Sequence, residues 1–249
     1  MRLSRRRLIG SLAAAPLLTA CDRLTYSEGF REGLRAAEGL TMRAQRLVMD
    51  RAALAREFGA ADISPVFRSN GTRRPGSQSY ADHAARGFAD WRLAVDGLVA
   101  RPLSLSMAQI RGLPARTQIT RHDCVEGWSA IGRWTGVPLR LLLEGAGVST
   151  RARYIVFHCA DDYGPVRYYE SIDMVDALHP QTILAWALNG ALLPIENGAP
   201  LRLRVERQLG YKHAKYVERI EAVAGLAAIG GGRGGYWEDS NDYEWYAGI

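Results

Sequence analysis

The sequence predicts a mixed α+β domain that is rich in strands. Short apolar or alternating runs recur from Trp91 onward, Gly, Pro and Asn/Asp turns separate them, and only a few windows have helical spacing. No fixed-period repeat, heptad or long low-complexity linker interrupts the pattern. The 249 residues are 47% hydrophobic and 23% charged, enough for one good-sized core or two small ones. With a mean hydropathy of −0.16, the composition is that of a globular chain and excludes a disordered one.

Residues 1–20, within MRLSRRRLIGSLAAAPLLTAC, read as a signal segment: a basic start, an apolar run from Leu8 to Ala20, then small residues before Cys21. The run is too short to read as a membrane span. SRRRLIG resembles a twin-arginine export signal, and LTAC resembles a lipoprotein cleavage box with Cys21 as the acylated residue. These readings imply the periplasmic side of the bacterial inner membrane, lipid-anchored through Cys21 or soluble after export. Asp22 implies retention there. The formal charge of +6 owes much to this leader: without Arg2, Arg5, Arg6 and Arg7, 28 of 32 basic residues face 26 acids. Such a balance argues against a nucleic-acid partner.

Residues 21–62 are expected to form an N-terminal helical segment. Ser27 to Phe58 lacks proline, and LVMDRAALAREF has helical spacing. The main domain is expected over 63–249. It begins with an ordered, basic, turn-rich loop from Ile63 to Tyr80. WRLAVDGLV reads as a strand with an Asp-Gly turn. SLSMAQIRGLP reads as a short helix capped by Ser104 or Ser106 and stopped by Gly112 and Pro114. A strand at Thr117 to Thr120, a loop around Cys124 and a helix at Pro138 to Glu144 follow. RYIVFHCA reads as a buried strand, ILAWALNG as a helix or strand, PLRLRVE as an alternating strand, and KYVERIEAVAGL as a strand with helix as the alternative. The tail YWEDSNDYEWYAGI is too aromatic for a solvated end and is expected to pack down.

Cys124 is the residue on which function turns. Without Cys21, only Cys124 and Cys159 remain, enough for one disulfide but not for a four-cysteine metal site. Cys159 sits in the apolar run IVFHC, whereas Cys124 lies among Arg121, His122, Asp123, Glu126 and Trp128. That setting points to a reactive or ligating thiolate, with arginine lowering its pKa. His122 is a candidate base, although nearness in sequence does not make a dyad. No spaced Cys/His cluster supplies a zinc site. Metal or cofactor ligand, nucleophile and structural cysteine all stay open on this chemistry alone.

A second constellation is NGAPLRLRVERQLGYKHAKY, Asn197 to Tyr216, which gathers Arg202, Arg204, Arg207, Lys212, His213 and Lys215 around Gly198 and Gly210. Guanidinium forks, ammonium charges and glycine-flanked N–H groups together suit an anionic ligand. The basic loop SNGTRRPG, Ser69 to Gly76, could close on the same anion.

RHDCVEGWSAIGRWTGVPLRLLL and ALNGALLPIENGAPLRLRVERQLGYKHAKYVERI together resemble the molybdenum-cofactor domain of the sulfite oxidase superfamily. The likeness is greatest to its exported branch, typified by periplasmic protein-methionine-sulfoxide reductases, and runs from about Ser64 onward. The resemblance implies a sulfite oxidase-type molybdopterin-binding fold holding one molybdenum and one molybdopterin. It implies Cys124 as the protein ligand to the metal. Arg121 and His122 flank it as catalytic candidates that would orient an anionic or dipolar substrate, the alternative for Arg121 being an ion pair with Asp123, Asp161 or Asp162. The resemblance implies cofactor contacts from Asn70, Arg73, Cys159, Asn197, Arg202, Lys212, His213, Ala214 and Lys215. TRRP at 72–75 and Cys159 depart from the reductase pattern, where an aromatic-acidic pair and a threonine stand. The implied activity is oxygen-atom transfer on a small sulfur or other oxo-type substrate. Electrons would pass through a separate cytochrome or quinone-linked membrane subunit, since no haem or immunoglobulin-like domain is read in the chain. A cysteine-based hydrolase or thiol-redox enzyme, and a lipid-anchored anion-binding protein, are the alternatives.

Overall fold

The computed structural model describes residues 27–249, so the expectations for the signal segment and Cys21 lie outside the described residues. The chain divides after Met49 into two compact units. In the first, helix α1 (Glu28–Val48) has Glu28 in its first turn and Arg46 in its last, matching the helix dipole. The helix ends ten residues short of Phe58, where sequence spacing carries it. The Asp50 carboxylate accepts the Ala52 N–H at 2.8 Å, which turns the chain. Residues 55–58 are then extended, with Phe58 N–H donating to Ile119 O at 2.9 Å and Glu57 bridging Thr120. Edge sealing outweighs helix propensity in this stretch. The second unit accordingly begins at Asp50, ahead of the boundary expected at residue 63. None of the described helices is long and apolar enough to cross a membrane.

The second unit runs α2 (Gln78–Ala85), β1 (Arg92–Gly97), β2 (Leu103–Ser106), α3 (Met107–Arg111), β3 (Arg116–Cys124) and β4 (Trp128–Pro138). Then follow α4 (Leu139–Ala146), β5 (Tyr154–Tyr163), β6 (Val166–Asp173), α5 (Met174–Ala177), β7 (Ile183–Leu188) and β8 (Ala191–Leu192). β9 (Arg202–Arg204), β10 (Val217–Val223) and α6 (Tyr236–Asn241) complete it. One sheet has the order β2-β1-β10-β5-β6, with β1 and β10 parallel; the other has the order β3-β4-β7-β8, with β9 also on β7. The strand-rich α+β expectation therefore holds.

Local chemistry sets the boundaries. Ser106, not Ser104, caps α3: its Oγ accepts the Gln109 N–H at 3.2 Å, and Gln109 Oε1 accepts the Ser106 N–H at 2.9 Å. α4 stops at Gly147 in the left-handed region. ILAWAL and VERIEAV are strands, β7 and β10, each hydrogen-bonded on both sides. The stretch expected as a Cys124 loop is instead the end of β3 and a tight turn into β4, because Trp128 pairs with Cys124 across the ladder. One core joins both sheets: Leu93, Val95, Ile155 and Ile220 from the first meet Val137, Leu184 and Leu203 from the second, with Leu142 and Leu143 of α4.

Candidate active site

β3 delivers Cys124. Gln118, Thr120 and His122 are buried and Arg121 is exposed, so the strand's two-residue period places Cys124 on the inner side with His122. At the hairpin turn Gly127 has φ +85°, and its N–H donates to Cys124 O at 3.1 Å. Cys124 and Cys159 are both free thiols. Burial pushes the Cys124 thiol up; a hydrogen bond from the Glu126 backbone opposes this, the Glu126 charge adds to it, and Arg202 opposes it least. The sequence expectation of a thiol lowered by neighbouring arginine is therefore corrected: Arg121 points the other way and binds Asp123 at 2.9 Å.

The stretch from Asn197 to Tyr216 packs beside it. Gly198 has φ +111°, and a Cβ there would lie 2.9 Å from Lys215 Cβ. A Cβ on Gly210 would lie 2.6 Å from His122 Cε1 and Nε2. Both glycines are thus required by close approach. On β9, Arg204 is fully buried and grips Glu206 with two bonds, of 2.9 and 2.6 Å. Its Nη1 donates to His122 Nδ1 at 3.0 Å. Since arginine only donates, His122 Nδ1 accepts and its proton sits on Nε2. The His213 ring lies 5.0 Å from that of His122, and its Nε2 donates to Gln208 O at 3.0 Å, leaving Nδ1 as an acceptor. Burial first, then nearby arginines, hold both imidazoles well below the usual histidine range. His122 gives no hydrogen bond to Cys124, so the pair is not a nucleophile–base dyad.

Cys124 opens on a cleft of about 130 Å³. Its polar wall includes Asn70, Glu126, Asp161, His213 and Lys215; its aromatic wall includes Tyr163, Tyr168, Tyr211, Trp237 and Tyr243. Behind the cleft Arg202 is fully buried and donates to Asn197 O at 3.2 Å and Asn70 Oδ1 at 3.1 Å. Lys215 Nζ donates to Asn70 O at 2.6 Å, Glu196 O at 3.0 Å and Thr72 O. Neither cation has a carboxylate within salt-bridge distance among the described residues, in contrast to Arg204. Burial, with the neighbouring Arg204, lowers Arg202 to about 9; burial, with Arg202, lowers Lys215 to about 7. Arg202 Nε, Asn197 Nδ2, His213 Nδ1 and Asp161 Oδ1 are buried without a hydrogen-bond partner. Burial pushes Asp161 up to about 7 against the pull of Lys215.

The structure thus brings Asn70, Cys124, Asn197, Arg202, His213 and Lys215 together. Five other sequence candidates fall elsewhere. Arg121 lines a separate cleft with Arg56 and Phe58. Cys159 and Ala214 are in the hydrophobic core. Lys212 is fully buried between Glu170 (2.5 Å) and Glu238 (2.7 Å). Arg73 is exposed and is not part of the cleft wall. Among the described residues no group of three or more His, Cys, Asp or Glu side chains converges to hold a metal unaided. Sequence reasoning missed Asp161, Tyr211, Trp237 and Tyr243 as cleft residues; the aromatic bias of the tail was the one signal for Trp237 and Tyr243.

Residues 81–225 match the family model described as the oxidoreductase molybdopterin binding domain. Over 248 residues the chain is 38% identical to a putative protein-methionine-sulfoxide reductase subunit, YedZ1, of Azospira oryzae, covering 99% of this chain and 86% of the relative. It is 38% identical over 147 residues to the protein-methionine-sulfoxide reductase catalytic subunit MsrP of Xanthomonas campestris pv. campestris, covering 55% of this chain and 46% of that protein. The chain thus spans about half the length of that relative. The sulfane dehydrogenase SoxCD of Paracoccus pantotrophus superposes with a TM-score of 0.51 at 26% identity, over 55% of this chain and 39% of its own.

Proposed function

The chain belongs to the family of oxidoreductases built on the molybdopterin-binding domain, and from that membership we propose that Cys124 is the protein's ligand to molybdenum in a cleft that reduces sulfoxides. It is a molybdenum- and molybdopterin-dependent oxidoreductase that transfers oxygen atoms. The residues present fit an anionic cofactor. Arg202 and Lys215 are buried cations without an internal counter-ion, and Arg202 Nε, Asn197 Nδ2 and His213 Nδ1 are buried groups still lacking a partner. An anion that filled these positions would remove a desolvation cost the protein does not offset by itself.

When bound, the cofactor supplies a metal that changes oxidation state by two units and so can accept or release an oxygen atom. The chain does the rest. Cys124 supplies one soft sulfur donor from the rigid end of β3. Asn70, Asn197, Arg202, His213 and Lys215 hold the organic part. The aromatic wall keeps bulk water from the substrate side. Asp161, held near 7, keeps a carboxyl that carries a proton in part of the population at neutral pH. Reduction of a sulfoxide consumes two electrons and two protons and yields a thioether and water. The electrons come from a separate redox protein, which we take to be a membrane-bound subunit, with the enzyme on the periplasmic side. Methionine sulfoxide, named in the relatives, is the substrate we assign.

The observation that carries this reading is the half-buried Cys124 thiol facing a cleft backed by uncompensated cations. Purified protein should contain about one molybdenum and one pterin phosphate per chain and reduce methionine sulfoxide with a reduced dye as donor. Cys124→Ser should lose the metal's sulfur-ligand spectrum and more than about 99% of turnover while keeping its fold, since an oxygen donor cannot replace the soft ligand. Unchanged activity in that variant would sink the assignment.

A further inference from the structure

The matched family region ends at residue 225, yet the chain beyond it furnishes part of the wall of the cleft that Cys124 also lines. Trp237 and Tyr243 come from α6 and the residue after its C-cap, and they meet Tyr211 of the cofactor-side loop. Tyr211 and Tyr243 contact edge to face at 5.0 Å, Tyr243 and Trp237 stack at 5.8 Å, and Trp237 meets Tyr163 at 5.2 Å. The wall is fixed from several sides. Tyr211 Oη donates to Glu244 O at 2.6 Å, Lys212 holds Glu238 of α6, and Leu209 N–H donates to Ala247 O at 2.9 Å. The hydroxyl of Tyr211 is thus used within the protein, and the packed rings present apolar faces.

The charges lining the cleft point the same way. Glu126 and Asp161 are acidic, and Lys215, the one cation lining the cleft among the described residues, gives its three N–H groups to backbone carbonyls and, on the reading above, its charge to the cofactor. Arg121, which could have met an anion, lies in the other cleft. A small oxyanion such as sulfite would meet carboxylates and rings. A neutral S-alkyl group would meet aromatic faces that favour sulfur and methyl contacts, at about 0.3–1.5 kcal/mol for each sulfur–ring pair.

We infer that Trp237 and Tyr243, with Tyr211, are specificity-determining residues that make this a cleft for neutral alkyl sulfoxides carrying a methionine-like side chain rather than for inorganic sulfur oxyanions. The inference rests on the sulfoxide-reductase reading above and assigns the substrate side of that same site to the C-terminal segment.

The test uses holoenzyme with a reduced dye and N-acetylmethionine sulfoxide, and separately sulfite with an artificial acceptor. Trp237→Ala and Tyr243→Ala should each raise KM for the sulfoxide by about tenfold, with kcat within about threefold and molybdenum content unchanged. Trp237→Phe should stay within about threefold of wild type in KM. Independently of turnover, binding of the product thioether, N-acetylmethionine, to the oxidised enzyme should weaken by the same factors in calorimetry. If the alanine variants lose metal, Trp237→Leu against Trp237→Phe at equal molybdenum content decides, the leucine form alone raising KM. Active wild type with unchanged KM and unchanged thioether binding in the ring-deleted variants would overturn the inference. So would sulfite saturating the wild type more tightly than the sulfoxide. Wild type that holds molybdenum but reduces no sulfoxide would instead overturn the functional reading on which it rests.

Discussion

Replacing Lys212 with methionine removes one charge and little volume. In the native protein Lys212 Nζ lies 2.5 Å from Glu170 Oε1 and 2.7 Å from Glu238 Oε1, and all three side chains are essentially inaccessible. The second oxygen of each carboxylate has no partner, so the ammonium is what makes their burial tolerable. Burial, reinforced by Glu238, pushes Glu170 well above the usual carboxylate range, and Lys212 opposes this. Burial alone would lower Lys212, but the two glutamates outweigh it and raise its pKa. Breaking a buried pair from one side costs about 3–5 kcal/mol, which for a domain of this size is a fall of about 6–20 °C in melting temperature.

The sign of the pH dependence separates this mechanism from lost packing. A lysine whose folded pKa is raised stabilises fully below about 10.5 and loses that contribution as pH rises through the folded value. Wild type should therefore show no loss from this group between pH 5 and 9. In Lys212→Met the orphaned carboxylates prefer their protonated forms, and an acid with a raised folded pKa costs stability as pH rises above its unfolded value of about 4.5. The deficit should thus be largest at pH 8–9 and shrink towards pH 5. Urea unfolding of both proteins across that range reads it directly. A deficit below about 1 kcal/mol at pH 8, or one that does not change with pH, would refute the reasoning.

Three further outcomes follow from the same geometry. Removing the cofactor leaves Arg202 and Lys215, lowered to about 9 and about 7, as penalised cations; a base with a lowered folded pKa costs stability as pH falls towards that value. The melting gap between loaded and emptied protein should therefore be wider at pH 7.5 than at pH 9.5 in scanning calorimetry. Gly210→Ala places a methyl 2.6 Å from the buried His122 ring and should cost about 1–3 kcal/mol while lowering molybdenum content, measured by unfolding and elemental analysis. Arg121→Ala should change kcat/KM by less than about twofold, because its charge is held by Asp123 at the protein's exposed side, where such pairs contribute little. A loss above about tenfold would return Arg121 to the chemistry.

The strand runs were legible because their periodicity is local: Leu93 and Val95 alternate inward as WRLAVDG implies, and α3 is capped as its Ser-x-x-Gln pattern implies. The helix expected through Phe58 failed because the competing interaction is distant. Nothing within LVMDRAALAREF shows that Ala55 N–H will bond Gln181 Oε1 or that Phe58 will close the edge of β3. The site divides along the same line. Cys124 stood out by its polar neighbours, but strand parity, which turns Arg121 outward and His122 inward, becomes decisive only once β3 is known to continue to residue 124. Trp237 and Tyr243 reach the cleft through a tail whose composition showed that it packs, not against what.

The basic cluster shows what motif reading alone leaves undistinguished. Arg202, Arg204, Arg207, Lys212 and Lys215 look equivalent in NGAPLRLRVERQLGYKHAKY. Folding sorts them by partners drawn from far along the chain. Arg207 Nη2 meets Asp176 at 2.7 Å, Lys212 meets Glu170 and Glu238, and Arg204 meets the nearby Glu206. These three hold loops and the tail in place. Arg202 and Lys215 have only neutral oxygens, from Asn70, Asn197, Thr72 and Glu196, so their charged forms carry a desolvation cost. The positive charge left uncompensated in the fold therefore lies beside the cleft proposed above for the anionic cofactor, while the other cations are paired within the protein. A pairing map, more than a count of basic residues, identifies which of them are held for the ligand.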